Sequence, residues 1–302
     1  MRFKPNIYLF NESPLIPCIR TVALLLCCFA LACMCANALV YEFPGNNYLY
    51  YGQIRHLLWL FFSFLALSYT LGVSVMTYDD AVEYFVYMVF VVIVTFASNA
   101  IQYTPFEPID SAIIALEESL HLSVSASVLW LHQYPGLKHM FAGIYELIGL
   151  ELLVIPIAAI YLKQYYYLYE FYFLMLVTTL LGFVFYYFFP TTGPASMLHL
   201  SFFSDEQIAT GLKFREIHHY QSPSTLAGGM IAMPSFHVIW AFLAVYFMRF
   251  QPLFCFIVVV FNVFIMLSCV LLGWHYYLDI VGSFMTFALA FGIKKWCGIA
   301  RD

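Results

Sequence analysis

The chain carries about eight runs of apolar residues that are long enough, or nearly long enough, to cross a lipid bilayer. A membrane-crossing helix needs about 20 such residues, because the hydrocarbon core of a bilayer is about 30 Å thick. The runs cover residues 20–40, 57–77, 83–104, 141–162, 168–189, 237–249, 252–273 and 276–293. Since backbone polar groups inside a membrane must be satisfied within the segment, these runs predict an all-α, polytopic membrane helix bundle.

The scarcity of charge supports the same fold class. Of the 302 residues, 64% are hydrophobic and only 10% are charged, whereas a soluble domain carries about 25% charged residues. A net charge of −5 without a basic patch excludes nucleic acid as an expected partner. The eight cysteines show no spacing typical of a zinc site or a disulfide framework, and we expect no metal and no other cofactor. The expected partners are the bilayer and a lipid, and the sequence identifies no protein partner.

The distribution of Lys and Arg predicts the orientation of the spans. With the N-terminus in the cytoplasm, eight of these residues fall inside and four outside. Both termini are then cytoplasmic, and the polar loop 190–236 lies outside. The first run is expected to be a retained anchor, and residues 105–138 are expected to lie in the membrane interface. A bacterial inner membrane with a periplasmic site fits this topology, as does a lumen-facing site in a eukaryotic membrane.

Three short polar segments lie at the outer ends of the predicted spans: residues 189–194, 233–237 and 273–279. In the second segment, Pro234 keeps Met233 out of the helical region, so a helix begins after it with Ser235 as the expected N-cap. His237 then lies in the first turn, where free N–H groups and the helix dipole favour a phosphate. A helix cap with a packing histidine explains the same residues, and taken alone it is the simpler interpretation.

In the third segment, His275 and Asp279 are four residues apart, a spacing that places both on one face of a helix. A carboxylate beside a histidine can hold Nδ1–H and leave Nε2 free as a nucleophile or base. The alternative is a His–Asp pair that only stabilises a helix end. We favour the chemical role, because a carboxylate in the first turn of a membrane helix is costly without a function or a partner.

The first segment offers hydroxyl groups and a permissive backbone to an anion. Thr191 and Thr192 can donate to phosphate oxygens and Gly193 permits close backbone approach, but for any one of these residues a simple turn at the end of a span is the preferred interpretation. Two cations lie in the loop that follows. Arg215 is the expected phosphate ligand because its guanidinium fork matches a phosphate, and Lys213 is expected to be a solvated loop charge.

The combination of Pro-Ser-Phe-His at residues 234–237 and Gly-Trp-His-Tyr-Tyr-Leu-Asp at residues 273–279 resembles the second and third motifs of the type 2 phosphatidic acid phosphatase superfamily. The match is most similar to the branch that contains inositol phosphorylceramide synthases. That branch tends to show segments like residues 104–110 and 189–194, together with an Arg in the loop like Arg215. The resemblance covers about residues 100 to 295.

Two features of that superfamily are missing from the chain. Its first motif, a Lys followed some residues later by Arg-Pro, is absent, and Cys269 stands where the third motif usually carries a phosphate-binding Arg. These losses raise the importance of Arg215 and of backbone N–H groups as phosphate ligands.

The resemblance implies a metal-free phosphoryl transfer. His275 would attack phosphorus and form a phosphohistidine, Asp279 would orient and stabilise its imidazole, and His237 would act as acid and then as base. The acceptor would be water or an alcohol. The groups expected to bind the developing negative charge are Ser235, Gly193 and Arg215.

The resemblance also implies a six-span core, to which this chain adds two N-terminal spans. We divide the chain into an N-terminal two-span region, residues 1–80, and a catalytic membrane domain, residues 81–302. The expected function is an integral membrane lipid-phosphate phosphatase, or a phospho-headgroup transferase such as an inositolphosphotransferase, acting at the outer face on a phospholipid or lipid phosphate. The alternative is a non-enzymatic lipid transporter or scaffold that retains the fold. The vanadium haloperoxidase chemistry known on the same fold usually needs more phosphate-ligating cations than this chain offers.

Overall fold

The computed structural model describes residues 13–45, 78–198, 202–225 and 231–297, together with the single positions 55, 58, 59 and 62. Within these residues all regular structure is helical, which confirms the all-α fold class. The span predicted at residues 57–77 lies outside the described residues, apart from three of the single positions.

The helices follow one another with short connections. In chain order they are α1 (Leu15–Leu39), α2 (Tyr78–Ile101), α3 (Asp110–Ser119), α4 (Val124–His132), α5 (Pro135–Glu146), α6 (Ile148–Tyr161), α7 (Tyr165–Phe188), α8 (Pro194–Met197), α9 (Asp205–His218), α10 (Phe236–Phe247), α11 (Pro252–Leu271) and α12 (Tyr277–Trp296). A short 3-10 turn, Met248–Phe250, follows α10.

Six helical segments in the described part of the chain are long and apolar enough to cross a membrane. They are α1, α2, the continuous pair α5–α6, α7, α11 and α12, and each coincides with a predicted apolar run. The remaining described run corresponds to α10, which is apolar but shorter. α3 and α4 meet at an angle of 81°, so this pair does not form a straight crossing. The chain is a multi-pass integral membrane protein.

α7 is the central helix of the bundle. It packs against α1, α2, α6, α10 and α12, and this position explains why its sequence is apolar on all sides rather than on one face. Its Gly182 lets the segment before α10 approach closely, because a Cβ atom at this position would lie 2.9 Å from the Phe236 ring and 3.0 Å from Pro234. The core of the bundle therefore positions the Pro-Ser-Phe-His segment directly.

The direction of three helices brings the polar segments to one end of the bundle. α7 runs towards that end and finishes at Phe188, while α10 and α12 begin there and run away from it. The loops that carry the three segments consequently meet where these helix ends meet.

Candidate active site

A cavity of about 240 Å³ lies where the three polar segments meet. All three segments contribute to its lining: the first with Thr192, the second with Phe236 and His237, and the third with Trp274 and His275. Aromatic rings form much of the wall, among them Tyr145, Phe183, Phe214, Phe236, Trp240 and Trp274. Most of the wall is apolar, and Thr192, His237 and His275 add polar groups to it. Such a cavity suits a ligand with a polar head and an apolar body.

The Pro-Ser-Phe-His segment folds as its sequence predicts. Ser235 has extended backbone angles and is the N-cap of α10, where its Oγ accepts the N–H of Val238 at 3.4 Å. This cap places His237 in the first turn of α10. Ser235 itself is fully buried and is not among the described residues that line the cavity, so its side chain stabilises the helix start.

The His275–Asp279 pair forms, but its geometry differs from the prediction. His275 precedes α12, whose N-cap is Tyr276, so the two residues do not share a helix face. Asp279 instead turns back from the first turn, and its Oδ2 lies 3.3 Å from Nδ1 of His275 and accepts the N–H of Tyr276 at 2.9 Å. The backbone N–H of His275 is held by the carbonyl of Cys269 at 3.0 Å.

The environment of His275 defines which ring nitrogen carries the proton. Its Nδ1 lies 2.8 Å from the carbonyl oxygen of Ala232 and 3.3 Å from the Asp279 carboxylate. Both neighbours accept hydrogen bonds, so Nδ1 is the protonated nitrogen of a neutral ring and Nε2 holds the lone pair. The sequence suggested Asp279 as the orienting group, whereas the closer partner is a backbone carbonyl that no sequence pattern indicates.

His237 is held against the ring of Tyr145 beside His275. The centroids of the two imidazole rings are 6.0 Å apart. Tyr145 stacks on His237 with centroids 4.2 Å apart, and its hydroxyl lies 3.4 Å from Nδ1 of His237. Trp274 stacks in turn on Tyr145, with an angle of 2° between the rings. Tyr145 is a site residue that the sequence did not single out, because a tyrosine in an apolar run is common.

Asp110 is a second residue whose position was not anticipated. It is buried at the first residue of α3, and its carboxylate accepts the backbone N–H groups of Thr192 at 2.9 Å and Gly193 at 2.9 Å. It also accepts the hydroxyl of Tyr276 at 3.1 Å. One carboxylate thus ties the turn after α7 to the residue that follows His275. Its only sequence signal is its place in the segment 104–110.

The turn at residues 191–193 is engaged mainly in supporting contacts. The N–H groups of Thr192 and Gly193 point to Asp110, and Oγ1 of Thr191 accepts the N–H of Met233 at 2.7 Å. Of the three residues, only Thr192 is among those described as lining the cavity. Gly193 has φ of +83°, and a Cβ atom there would lie 3.3 Å from the carbonyl oxygen of Trp274, so the turn requires glycine.

The two cations of the loop, Lys213 and Arg215, differ in burial in a way that the sequence did not predict. Both belong to α9, which begins with a capping box formed by Ser204 and Gln207. Lys213 is 2% exposed, so the expectation of a solvated charge was wrong, whereas Arg215 is exposed. The Lys213 ammonium lies 5.4 Å from the ring centroid of Phe214, which lines the cavity. Burial lowers the pKa of Lys213 to about 8.

The position where the related motif carries an Arg offers no charge in this chain. Cys269, at the position where the related motif carries an Arg, is fully buried under the backbone of Trp274 and His275. Within the described residues, no group of three or more His, Cys, Asp or Glu side chains is arranged to hold a metal ion. The chemistry that these residues offer is therefore that of two histidines, a carboxylate and nearby cations.

A comparison with known protein families matches residues 111–293 to a family described as the PAP2 superfamily. The match covers more than half of the chain and includes both histidines and Asp279. The chain belongs to the PAP2 superfamily. This confirms the superfamily that the motifs resemble. A search of curated proteins and a search of solved structures found no significant match.

Membership of the PAP2 superfamily and a multi-span helical fold fit a membrane lipid phosphatase. The matched range lies inside the membrane domain expected at residues 81–302. The superfamily usually carries phosphatase activity, and an enzyme with a lipid-phosphate substrate fits a PAP2 membrane protein.

Proposed function

We propose that this chain is a metal-independent lipid-phosphate phosphatase or phospho-headgroup transferase that works through a phosphohistidine at His275. The observation that carries the proposal is the environment of this ring. Two acceptors hold Nδ1, so the lone pair on Nε2 belongs to a histidine that lines a cavity shared with His237.

The reaction consists of two displacements at phosphorus. In the first, the Nε2 lone pair of His275 forms the N–P bond as the P–O bond to the leaving group breaks, and protonated His237 gives its proton to the leaving oxygen. In the second, His237 accepts a proton from water or a lipid alcohol, whose oxygen bonds to phosphorus while the N–P bond breaks. Asp279 orients His275 and balances the positive charge that its ring gains in the first step.

Binding of the phosphate requires positive charge near the cavity. We assign the main electrostatic role to Lys213, whose buried ammonium adjoins the cavity wall at Phe214. Arg215, the ligand that the sequence favoured, is exposed on the same helix and has a secondary role in this proposal. Thr192 contributes a hydroxyl at the cavity wall.

The apolar wall supports a lipid substrate, and the part of the wall formed by α9 is where we expect the acceptor to be selected. The wall of the cavity includes Val94 and Thr95 of α2, which offer contacts to part of an acyl chain. Thr210 and Phe214 of α9 form another part of the wall, so the segment 195–230 is the element we expect to select water or a lipid alcohol. An inositolphosphotransferase-like reaction on a ceramide-type alcohol is the transferase form of this proposal.

The site is proposed to face the outer side of the membrane. The histidines lie at the end of the bundle where α10 and α12 begin, whereas Lys294 and Lys295 lie in the last turn of α12. Lysines at that end favour the cytoplasmic side for it. We accordingly propose cytoplasmic termini, and a division into residues 1–80 and a catalytic domain of residues 81–302.

Trapping of the covalent intermediate tests the proposal. The purified chain is incubated with phosphatidic acid labelled with ³²P at phosphorus, quenched at alkaline pH where phosphohistidine survives, and mapped by peptide mass spectrometry. We expect label on His275 and no label in His275→Ala. In His237→Ala the label should form more slowly, because the first displacement lacks its acid, and decay more slowly, because the second lacks its base. His139→Ala, a change at an exposed histidine of α5, is the matched control.

Turnover measurements complete the test. We expect His275→Ala to lower turnover at least about a thousandfold and His237→Ala by roughly 10²–10⁴-fold. Products extracted with and without an added lipid alcohol separate the phosphatase from the transferase. Full activity of His275→Ala, or label on another residue, would refute the phosphohistidine assignment.

A further inference from the structure

A second cavity, of about 280 Å³, lies at the end of the bundle opposite the histidine pair. Its wall comes from the beginning of α7 and from the ends of α10 and α12. The helical rise from His237 to Arg249 is roughly 18 Å, so this cavity is separate from the candidate active site. Its charged lining residues and two of its tyrosines are Glu170, Arg249, Lys294, Lys295, Tyr167 and Tyr246.

The charges on this wall do not cancel. Glu170, the one acid among the described lining residues, is 1% exposed and pairs with both Arg249 and Lys294. Lys295, an exposed side chain, also lines the cavity, so the wall carries three cations and one carboxylate, an excess of two positive charges. The C-terminal dipole of α12 offsets only about half a charge. A surplus of charge in a half-buried cavity is costly unless an anion balances it.

Two of the three cations, Arg249 and Lys294, are held in fixed positions before any ligand binds. The Arg249 guanidinium lies 3.7 Å from the ring centroid of Tyr246 and 4.6 Å from that of Tyr167, and its Nη1 donates to the Tyr246 carbonyl at 2.7 Å. Lys294 donates to the Tyr246 hydroxyl at 2.8 Å. An Arg held against two rings keeps its planar group oriented, and a guanidinium has five N–H donors, so those not bonded to Tyr246 or Glu170 can donate to an anion.

We propose that this cavity is a second phosphate-binding site, on the membrane face opposite the candidate active site. A partly buried pocket with aromatic walls and an excess of cations between helix ends suits the phosphate of an anionic lipid headgroup. Inorganic phosphate from the aqueous side offers the same chemistry. If the ion pairs served only to neutralise Glu170, one cation would be sufficient, whereas the structure places three at the cavity.

Photo-crosslinking tests the site on the full chain. The chain is placed in phosphatidylcholine nanodiscs with a phosphatidylglycerol that carries a diazirine in its headgroup, and adducts are located by peptide mass spectrometry. We expect adducts within residues 166–170 or 291–295 that unlabelled phosphatidylglycerol displaces and phosphatidylcholine does not. Displacement by millimolar inorganic phosphate would support the anion site with a soluble ligand instead. Adducts spread over the lipid-facing surface, or displaced equally by phosphatidylcholine, would overturn the proposal.

Charge variants give effects of opposite sign. Arg249→Gln and Lys295→Gln each remove one positive charge and should raise the half-saturating phosphatidylglycerol content about fivefold, while Glu170→Gln should lower it about fivefold. Arg20→Gln, at an exposed cation of α1 outside the cavity, is the matched control and should change nothing. A purely structural ion-pair network predicts loss of the folded chain in Glu170→Gln and no effect in Lys295→Gln, and that pattern would overturn the anion site.

Discussion

Replacing Asp110 with Asn is the change that most sharply tests how the site is assembled. The buried carboxylate receives the N–H groups of Thr192 and Gly193 and the hydroxyl of Tyr276. Asn keeps one oxygen and turns the other into an NH₂ donor. In the better of its two orientations, the oxygen of Asn takes the place of Oδ1, which accepts the N–H groups of Thr192 at 3.1 Å and Gly193 at 2.9 Å. The NH₂ group then replaces Oδ2, which now accepts the Thr192 N–H at 2.9 Å, so the new donor faces another donor.

The expected cost follows from these contacts. A hydrogen bond to a charged group contributes about 1.5–3 kcal/mol, and a buried donor left without an acceptor costs about 1–3 kcal/mol. Part of this is returned, because the neutral amide is cheaper to bury than a carboxylate. We therefore expect the free energy of unfolding to fall by roughly 2–4 kcal/mol. Because Tyr276 is adjacent to His275, a shift of about 1 Å there should lower kcat about a hundredfold.

The assay compares Asp110→Asn with Glu107→Gln, a matched change at an exposed acid three residues earlier. Thermal unfolding in detergent gives stability, and release of phosphate from phosphatidic acid gives kcat and KM at a temperature where both variants are folded. We expect the loss in kcat with KM little changed, because the carboxylate positions reacting groups and does not touch the substrate. Wild-type stability and kcat in Asp110→Asn would refute the reasoning.

Further expectations concern the cations, the acid–base histidine and the turn. Burial lowers the pKa of Lys213 to about 8, so its positive charge is present below pH 8 and lost above it. The KM for phosphatidic acid should therefore rise from pH 7 to pH 9. Lys213→Met should abolish this pH dependence, whereas the matched change Arg215→Met should preserve it. A KM that depends on Arg215 alone would contradict the assignment. Tyr145→Phe keeps the ring on His237 and removes the hydroxyl at 3.4 Å, so kcat should fall only a few-fold, and a pH profile of kcat measures the change at His237; a thousandfold loss would show that the hydroxyl itself takes part in the chemistry. Gly193→Ala forces a Cβ atom onto a backbone with φ of +83° and should destabilise the chain by about 1–2 kcal/mol in thermal unfolding; an unchanged melting temperature would contradict this.

Hydropathy alone predicted most of the bundle. The membrane demands a continuous apolar stretch in each crossing helix, so the seven described runs coincide with helices in the structure. Local chemistry likewise predicted the helix start at Ser235, because a cap depends only on a few neighbouring residues. These features depend on information that is contiguous along the chain.

The pairing of His275 with Asp279 was predicted with an incorrect reason. A spacing of four residues suggested one helix face, but α12 begins at Tyr277 and leaves His275 outside it. The two side chains meet because Asp279 caps the helix and faces back along the chain. Spacing identified the partners, while the helix boundary determined the geometry.

The choice between Lys213 and Arg215 could not be made from the sequence. The two residues lie two apart on α9 and therefore face different directions, and only the packing of that helix decides which of them is buried. The same holds for Asp110, which lies 82 residues from the amide of Thr192 that it binds. Such contacts join segments that are distant along the chain, and no local pattern records them.

The apolar runs, the superfamily motifs and the chemical identity of the histidine pair were thus readable along the chain, because each is a property of a continuous stretch of residues. The hydrogen-bonding of His275, the supporting role of Asp110, the burial of Lys213 and the cations that line the second cavity were decided by tertiary packing. The physical reason is that these properties depend on burial and on atoms brought together by the fold, and burial is set only when the helices have packed.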